Sequence, residues 1–176
     1  MIYEPDDDSF LLVKQIKKLA KGKKVLDMGT GFGILAETAL KSGAMDILAV
    51  DINKEVVSYV RSKGIKAKLS DLFSSVDEKF DLIVFNPPYL PEDELEDEET
   101  RRITTGGKNG YEILEKFIID SKDYLNKNGK ILIVFSSLTD KNKIDEVLKE
   151  NKYKFECLEK KKLFFEELYV YLISRD

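Results

Sequence analysis

The chain has 176 residues, a formal charge of −4, one cysteine and no histidine, which fits a single domain over residues 1–176 with a sizeable core. With Cys157 alone, an internal disulfide, the Cys/His metal sets and a Ser-His-Asp triad are excluded, so the chemistry must run without imidazole and no metal is expected. No run approaches roughly 18 uncharged apolar residues and no basic stretch leads an apolar one, so a cytoplasmic protein without membrane spans is expected, and the acidic balance argues against nucleic acid as a partner.

Pro5 and Asp6-Asp7-Asp8 open a helical pattern over residues 7–20, with Phe10, Val13, Ile16, Leu19 and Ala20 on one face. Carboxylates suit the positive end of a helix, and this start also sets Tyr3, Glu4 and Ser9 where they could line a pocket. Residues 24–36 read as a strand, a glycine-rich turn and a helix start, with Asp27-Met28-Gly29-Thr30-Gly31-Phe32-Gly33 at the centre. The glycines allow backbone N–H groups to approach a ligand, and a plain tight turn would need them too. Their spacing is G-x-G-x-G, because Ile34 holds the place of the last glycine of a dinucleotide fingerprint. Asp27 would repel a pyrophosphate but welcome a ligand bearing an ammonium and a sulfonium, which favours S-adenosyl-L-methionine over NAD.

The pattern repeats, with a strand at 46–51 and a helix at 53–63 ending at Gly64. Asp51 follows Gly31 at the distance from which an acid at a strand end reaches a ribose diol. A third strand, 65–69, leads to Ser70-Asp71-Leu72, where Asp71 could accept from an exocyclic amine or cap a helix and Leu72 could pack on a base. The apolar run of residues 80–85 is rich in branched and aromatic side chains and is stopped by two prolines, so it reads as a buried parallel strand delivering Asn86 to the sheet edge.

In Asn86-Pro87-Pro88-Tyr89 the prolines fix φ and hold Asn86 extended. Asn86 Oδ1 and the Pro87 carbonyl can accept the two N–H bonds of a planar NH2 group, and Tyr89 can pack its plane. An ordinary Asn-Pro turn is the competing explanation. Residues 90–110 form the longest irregular segment, acidic over 92–99 and ending in a flexible turn, Gly106-Gly107-Lys108-Asn109-Gly110. The acidic half reads as a solvated loop or as a receiver of basic protein surface. A helix over 111–125, a strand over 130–135, a helix over 141–150 and strands over 153–159 and 163–173 follow, the last two joined by a charged turn at Lys160-Lys161-Lys162 as an antiparallel hairpin.

Taken together, Tyr3-Glu4-Pro5 with Asp8-Ser9-Phe10-Leu11-Leu12, the glycine run, Asp51, Ser70-Asp71-Leu72, Asn86-Pro87-Pro88-Tyr89 and Gly106-Gly107-Lys108-Asn109-Gly110 resemble a class I S-adenosylmethionine-dependent methyltransferase over nearly the whole chain. More narrowly they resemble the HemK-like archaeal and eukaryotic branch, which methylates the glutamine of the Gly-Gly-Gln motif in class 1 release factors. That branch is shorter than its bacterial relatives, whose additional N-terminal helical domain is not expected here. The resemblance implies an α/β Rossmann-like sheet of seven strands with the last antiparallel and helices on both faces. It implies cofactor contacts at Ser9, Asp27, Gly29, Asp51, Asp71 and Leu72, with Gly31 and Asn86 also expected at the cofactor, and an amide clamp at Asn86, Pro87, Pro88 and Tyr89. It further implies a small zinc-binding activator along a sheet edge, here the strand 65–69, where Ile65, Ala67 and Leu69 alternate with Lys66 and Lys68. Methylation of adenine N6 in DNA or RNA, or of a protein lysine, are the alternative activities, and both suit the clamp or the acidic surroundings less well.

Overall fold

Short apolar runs of branched residues build the strands of this computed structural model, which describes residues 6–92 and 104–175. Among those residues a seven-stranded sheet forms from β1 (Lys24–Met28), β2 (Asp46–Asp51), β3 (Ala67–Leu69), β4 (Phe80–Phe85), β5 (Leu125–Ser136), β6 (Lys154–Lys162) and β7 (Glu167–Ser174). The order is β3-β2-β1-β4-β5-β7-β6. Strands β1 to β5 pair in parallel, and β7 lies antiparallel to both β5 and β6, as expected for the final strand.

Successive strand residues point to opposite faces, and each face has its own core. Val25, Ile47, Ala49, Leu82, Val84, Leu132 and Val134 meet helices α1 (Asp7–Leu19), α2 (Ile34–Lys41) and α3 (Lys54–Ser62). Leu26, Met28, Leu48, Val50, Ile83, Phe85, Ile131 and Ile133 meet α4 (Glu112–Ser121) and α5 (Lys141–Glu150). Asp27 therefore faces the α1–α2 layer. Helix α1 is capped by Asp6, whose carboxylate accepts from Asp7 N, and carries Asp7 and Asp8 in its first turn and Lys17 and Lys18 in its last, both matched to the helix dipole. Its buried stripe is Asp8, Ser9, Leu11, Leu12, Gln15 and Ile16. Phe10, expected on that face, is 56% exposed, because the polar pair Asp8 and Ser9 turns inward beside it.

Three boundaries differ from the sequence reading. The fourth helix stops at Ser121 and gives way to a 3-10 turn over Lys122–Tyr124, and β5 starts at Leu125, paired with Phe80, because Asn126 Nδ2 donates to Asp81 Oδ1 at 2.9 Å and draws this segment onto β4. Strand β3 shrinks to three residues, since Ile65 is buried before pairing begins. Lys160, Lys161 and Lys162 do not form the hairpin turn; they continue β6, and the chain reverses at 163–166 with Leu163 N donating to Glu166 O at 2.8 Å. Strand β6 is a sheet edge, where lysines discourage further pairing. No helix among the described residues is long and apolar enough to cross a membrane.

An aromatic stack ties the edge of this core to the loop after β4. Phe117, fully buried, stacks on Phe73 at 5.4 Å and packs tilted on Phe85 at 4.6 Å, the residue before Asn86. Phe117→Ala should lower unfolding free energy by about 3–5 kcal/mol, read as a shifted urea midpoint at unchanged slope.

Candidate functional site

From β1 the chain proceeds outward to β2 and β3 on one side, then returns to add β4 and β5 on the other, so the carboxyl ends of β1 and β4 flank a topological switch point. Ligands of open α/β sheets bind there. Asp27 sits in β1, the glycine run follows it, Asp51 ends β2, Ser70-Asp71-Leu72 follow β3 and Asn86 follows β4.

The glycine run is shaped by close approach as well as by conformation. Gly29 has φ 64°, and a Cβ there would lie 3.2 Å from the Phe85 ring. Gly33, at φ 80°, caps α2. Asp27 lies beneath this loop and is 1% exposed. Its Oδ2 accepts from Thr30 Oγ1 at 2.6 Å and from Ala36 N at 3.0 Å, so it holds both the loop and the start of α2. Its Oδ1 is buried with no hydrogen-bond partner. Burial raises the Asp27 pKa to about 7, with the Thr30 and Ala36 bonds opposing the rise and the nearby Asp51 charge adding to it. Asp51 is also raised by burial, against bonds from the backbone of Asn53, Gly31 and Ile52. Gly31 N donates to its Oδ2 at 3.1 Å and Asn53 N to its Oδ1 at 2.9 Å, which joins the ends of β1 and β2.

On the other side of the switch point Asn86 Nδ2 donates to Ser9 Oγ at 3.2 Å, while Asn86 Oδ1 is buried and unpartnered. Tyr89 OH donates to Asp8 Oδ2 at 3.1 Å, and the Tyr89 carbonyl accepts from Thr139 Oγ1 at 2.9 Å. Asp8, Ser9 and Thr139 are all buried, so the start of α1 and the turn after β5 fasten the Asn86–Tyr89 loop from two sides. The glycine segment after residue 104 is a third support. Gly106 N donates to Leu90 O at 2.9 Å, and a Cβ on Gly106 would come within 2.7 Å of the Pro88 carbonyl. This segment, expected as a flexible turn, is packed against the proline loop.

The structure thus gathers Ser9, Asp27, Gly29, Gly31, Asp51 and Asn86 at one edge, with Pro87, Pro88 and Tyr89 leading away from it. Asp71 stands apart on the rim, its side chain 61% exposed and 4.0 Å from Lys116 Nζ. Its neighbour Leu72 has a left-handed φ of 46° and a carbonyl that accepts from Ser70 Oγ at 2.6 Å. Tyr3, Glu4 and the acidic residues 93–99 lie outside the described residues. Sequence reasoning missed Asp8 as a partner of Tyr89, since an acid in a first helical turn is explained by the dipole alone, and it missed Thr139, which carries no local signal. Among the described residues no group of three or more His, Cys, Asp or Glu is arranged to hold a metal ion. The donors fit S-adenosylmethionine: a buried, unpaired carboxylate oxygen at Asp27 suits an ammonium, and the Asp51 carboxylate suits a diol.

Comparison with known proteins gives the relatives of this chain and of its fold. The family model described as the methyltransferase small domain matches residues 3–165. A Methanocaldococcus jannaschii protein, provisionally named as a protein N5-glutamine methyltransferase, is 42% identical over 96% of this chain and 89% of its own length. Human methyltransferase HEMK2 is 30% identical over 87% of this chain and 78% of its own. Among solved structures, the E. cuniculi Mtq2-Trm112 complex, responsible for methylation of the translation termination factor eRF1, superposes with a TM-score of 0.83 at 25% identity, covering 99% of both chains.

The buried Asp27 carboxylate has a consequence for stability. Its folded pKa of about 7 lies above the unfolded value of about 3.9, so the unfolded chain releases this proton first and ionisation disfavours folding. The ligand-free protein should therefore lose stability as pH rises from about 4 to about 7, and Asp27→Asn should flatten that slope in thermal melts across the same range.

Proposed function

Because the chain belongs to the methyltransferase small domain family, we propose that it methylates the side-chain nitrogen of the glutamine in the Gly-Gly-Gln motif of a class 1 translation termination factor. The observation that carries this reading is the buried, unpartnered Asn86 Oδ1. A hydrogen-bond acceptor held out of water without a donor is costly, and an NH2 group removes that cost. Relatives named for protein-glutamine methylation and a neighbour that methylates eRF1 support the choice of acceptor.

S-adenosylmethionine, when bound, supplies a methyl group made electrophilic by its sulfonium. Asp27 Oδ1, the glycine run from Gly29 to Gly31, Asp51 and the Leu72 side chain would hold it, with Asp71 closing the rim. An amide nitrogen is a poor nucleophile, because its lone pair is delocalised into the carbonyl. Two acceptors on its two N–H bonds, Asn86 Oδ1 and the Pro87 carbonyl, orient it and favour positive charge as that lone pair is drawn away. Ser9 acts through Asn86: by accepting from Nδ2 it fixes which end of the carboxamide faces the acceptor. Asp8 holds the Tyr89 hydroxyl, so that the ring is set as a wall of the acceptor subsite. The proton leaves after attack, when the nitrogen is cationic, so no strong base is needed.

The chain works as one domain, in the cytoplasm, on a protein substrate and with a small activator subunit, which we place at β3 and infer to bind zinc. Support comes from the open edge that β3 presents, whose lysines are already paired: Lys68 with Asp77 at 2.9 Å and Lys66 with Glu78 at 3.2 Å. Arg61 Nε donates to Ala67 O at 2.8 Å, so an incoming strand would exchange that bond for its own.

Transfer of labelled methyl to a recombinant termination factor, its Gln→Ala variant, duplex DNA and RNA, with and without an activator, tests the acceptor. Label on the intact factor alone is expected, and label on nucleic acid alone would assign the clamp to adenine. Asn86→Ala should lower kcat by about 10²-fold or more with cofactor binding retained. Ser9→Ala should lower it by about three- to tenfold, and Ser9→Thr should restore most of that loss.

A further inference from the structure

The hairpin between β6 and β7 ends in Leu163-Phe164-Phe165-Glu166. Leu163 packs back on the α1 side of the core. Phe164 and Phe165 do not: they are 93% and 87% exposed, with their rings in edge contact at 4.7 Å. Exposing two large aromatic residues in sequence forgoes burial that most folds would take, and such apolar surface marks contact with another molecule. Strand β6 runs parallel to β5, so the hairpin tip projects from the same edge of the sheet as Asn86.

The tip is also joined to the acceptor side of the site. Glu167 N, just past it, donates to Ser137 Oγ at 3.0 Å; two residues on, Thr139 Oγ1 donates to the Tyr89 carbonyl at 2.9 Å. Leu138, between them, is 46% exposed. On the other flank, Lys161 Nζ pairs with Asp7 Oδ1 at 2.6 Å, one residue before the Asp8 that holds Tyr89. The tip is therefore tied through its flanking residues to the two segments that hold Tyr89, and lies across β4 from Asp27 and Asp51.

We propose that Phe164 and Phe165 dock the protein that carries the acceptor glutamine, away from the reacting amide. This rests on the glutamine reading above. A second copy of this chain is a poor occupant: two phenylalanines offer about 150–250 Å² each, well under the roughly 800 Å² per partner of a stable interface. That small area suits a substrate that must leave after each turnover. It also gives the clamp, which sees only one side chain, a means of preferring a folded protein over free glutamine.

The test is the double variant Phe164→Ser/Phe165→Ser. Because both side chains are exposed, it should fold with an unchanged thermal midpoint. Initial rates are measured on the whole termination factor and on a short peptide containing Gly-Gly-Gln. For the whole factor KM should rise about tenfold or more with kcat unchanged, whereas rates on the peptide and calorimetric affinity for S-adenosylhomocysteine should match the wild type. An unchanged KM on the whole factor overturns the proposal. So does a wild-type dimer in sedimentation, or wild-type binding to phosphatidylserine vesicles, that the variant abolishes, since either gives the tip another occupant. Wild-type enzyme that never labels the factor, with or without the activator, would instead fail the glutamine reading, a result separable from labelling with unchanged KM.

Discussion

Asn86 enters the site with one end of its carboxamide bonded and the other left open: Nδ2 donates to Ser9 Oγ, and Oδ1 is buried without a donor. Much of the surrounding structure serves to keep it so. Two prolines prevent the loop from relaxing into a helix, Asp8 and Thr139 hold Tyr89 at its side-chain and backbone oxygens, and Gly106 packs under Pro88 where any side chain would push the loop away. An unsatisfied buried acceptor costs about 1–3 kcal/mol. On the proposed clamp, the amide of the substrate supplies the missing donor.

The same logic holds on the cofactor side of the switch point. Asp27 is buried with one oxygen spent on its own loop and the other unpaired, and burial moves its pKa toward neutrality. Two open acceptors, one carboxylate and one carboxamide, thus flank the end of the sheet; in the proposed complex a cation meets Asp27 and a neutral NH2 meets Asn86. In the proposed mechanism orientation and charge stabilisation, rather than a titrating base, carry the chemistry, which suits a chain without histidine.

Much of this was legible in the sequence where the signal is local. The 80–85 run closed by two prolines gave β4 with its observed bounds, and the spacing from Gly31 to Asp51 corresponds to an observed hydrogen bond between them. What could not be read depends on contacts between distant segments. Ser9 and Asn86 are 77 residues apart, and an acid or serine in a first helical turn is already explained by capping. The hairpin was misplaced because β6 is a sheet edge with little burial and no clean alternation, while Leu163-Phe164-Phe165 reads like the start of a buried strand. Apolar residues left in water are invisible to a pattern that assumes they are inside. The helix expected to run to residue 125 ended early because Asn126 is claimed by Asp81 across the sheet, a tertiary contact that overrides local propensity.

The most direct measurement is a crystal structure of the chain with S-adenosylhomocysteine and a Gly-Gly-Gln peptide. The expected result is the glutamine nitrogen about 2.9 Å from Asn86 Oδ1, with the Asn86 Nδ2 bond to Ser9 Oγ retained. A glutamine bound elsewhere, or an Asn86 carboxamide rotated so that Oδ1 serves the protein or the cofactor instead, would contradict the clamp on which this account of the site rests.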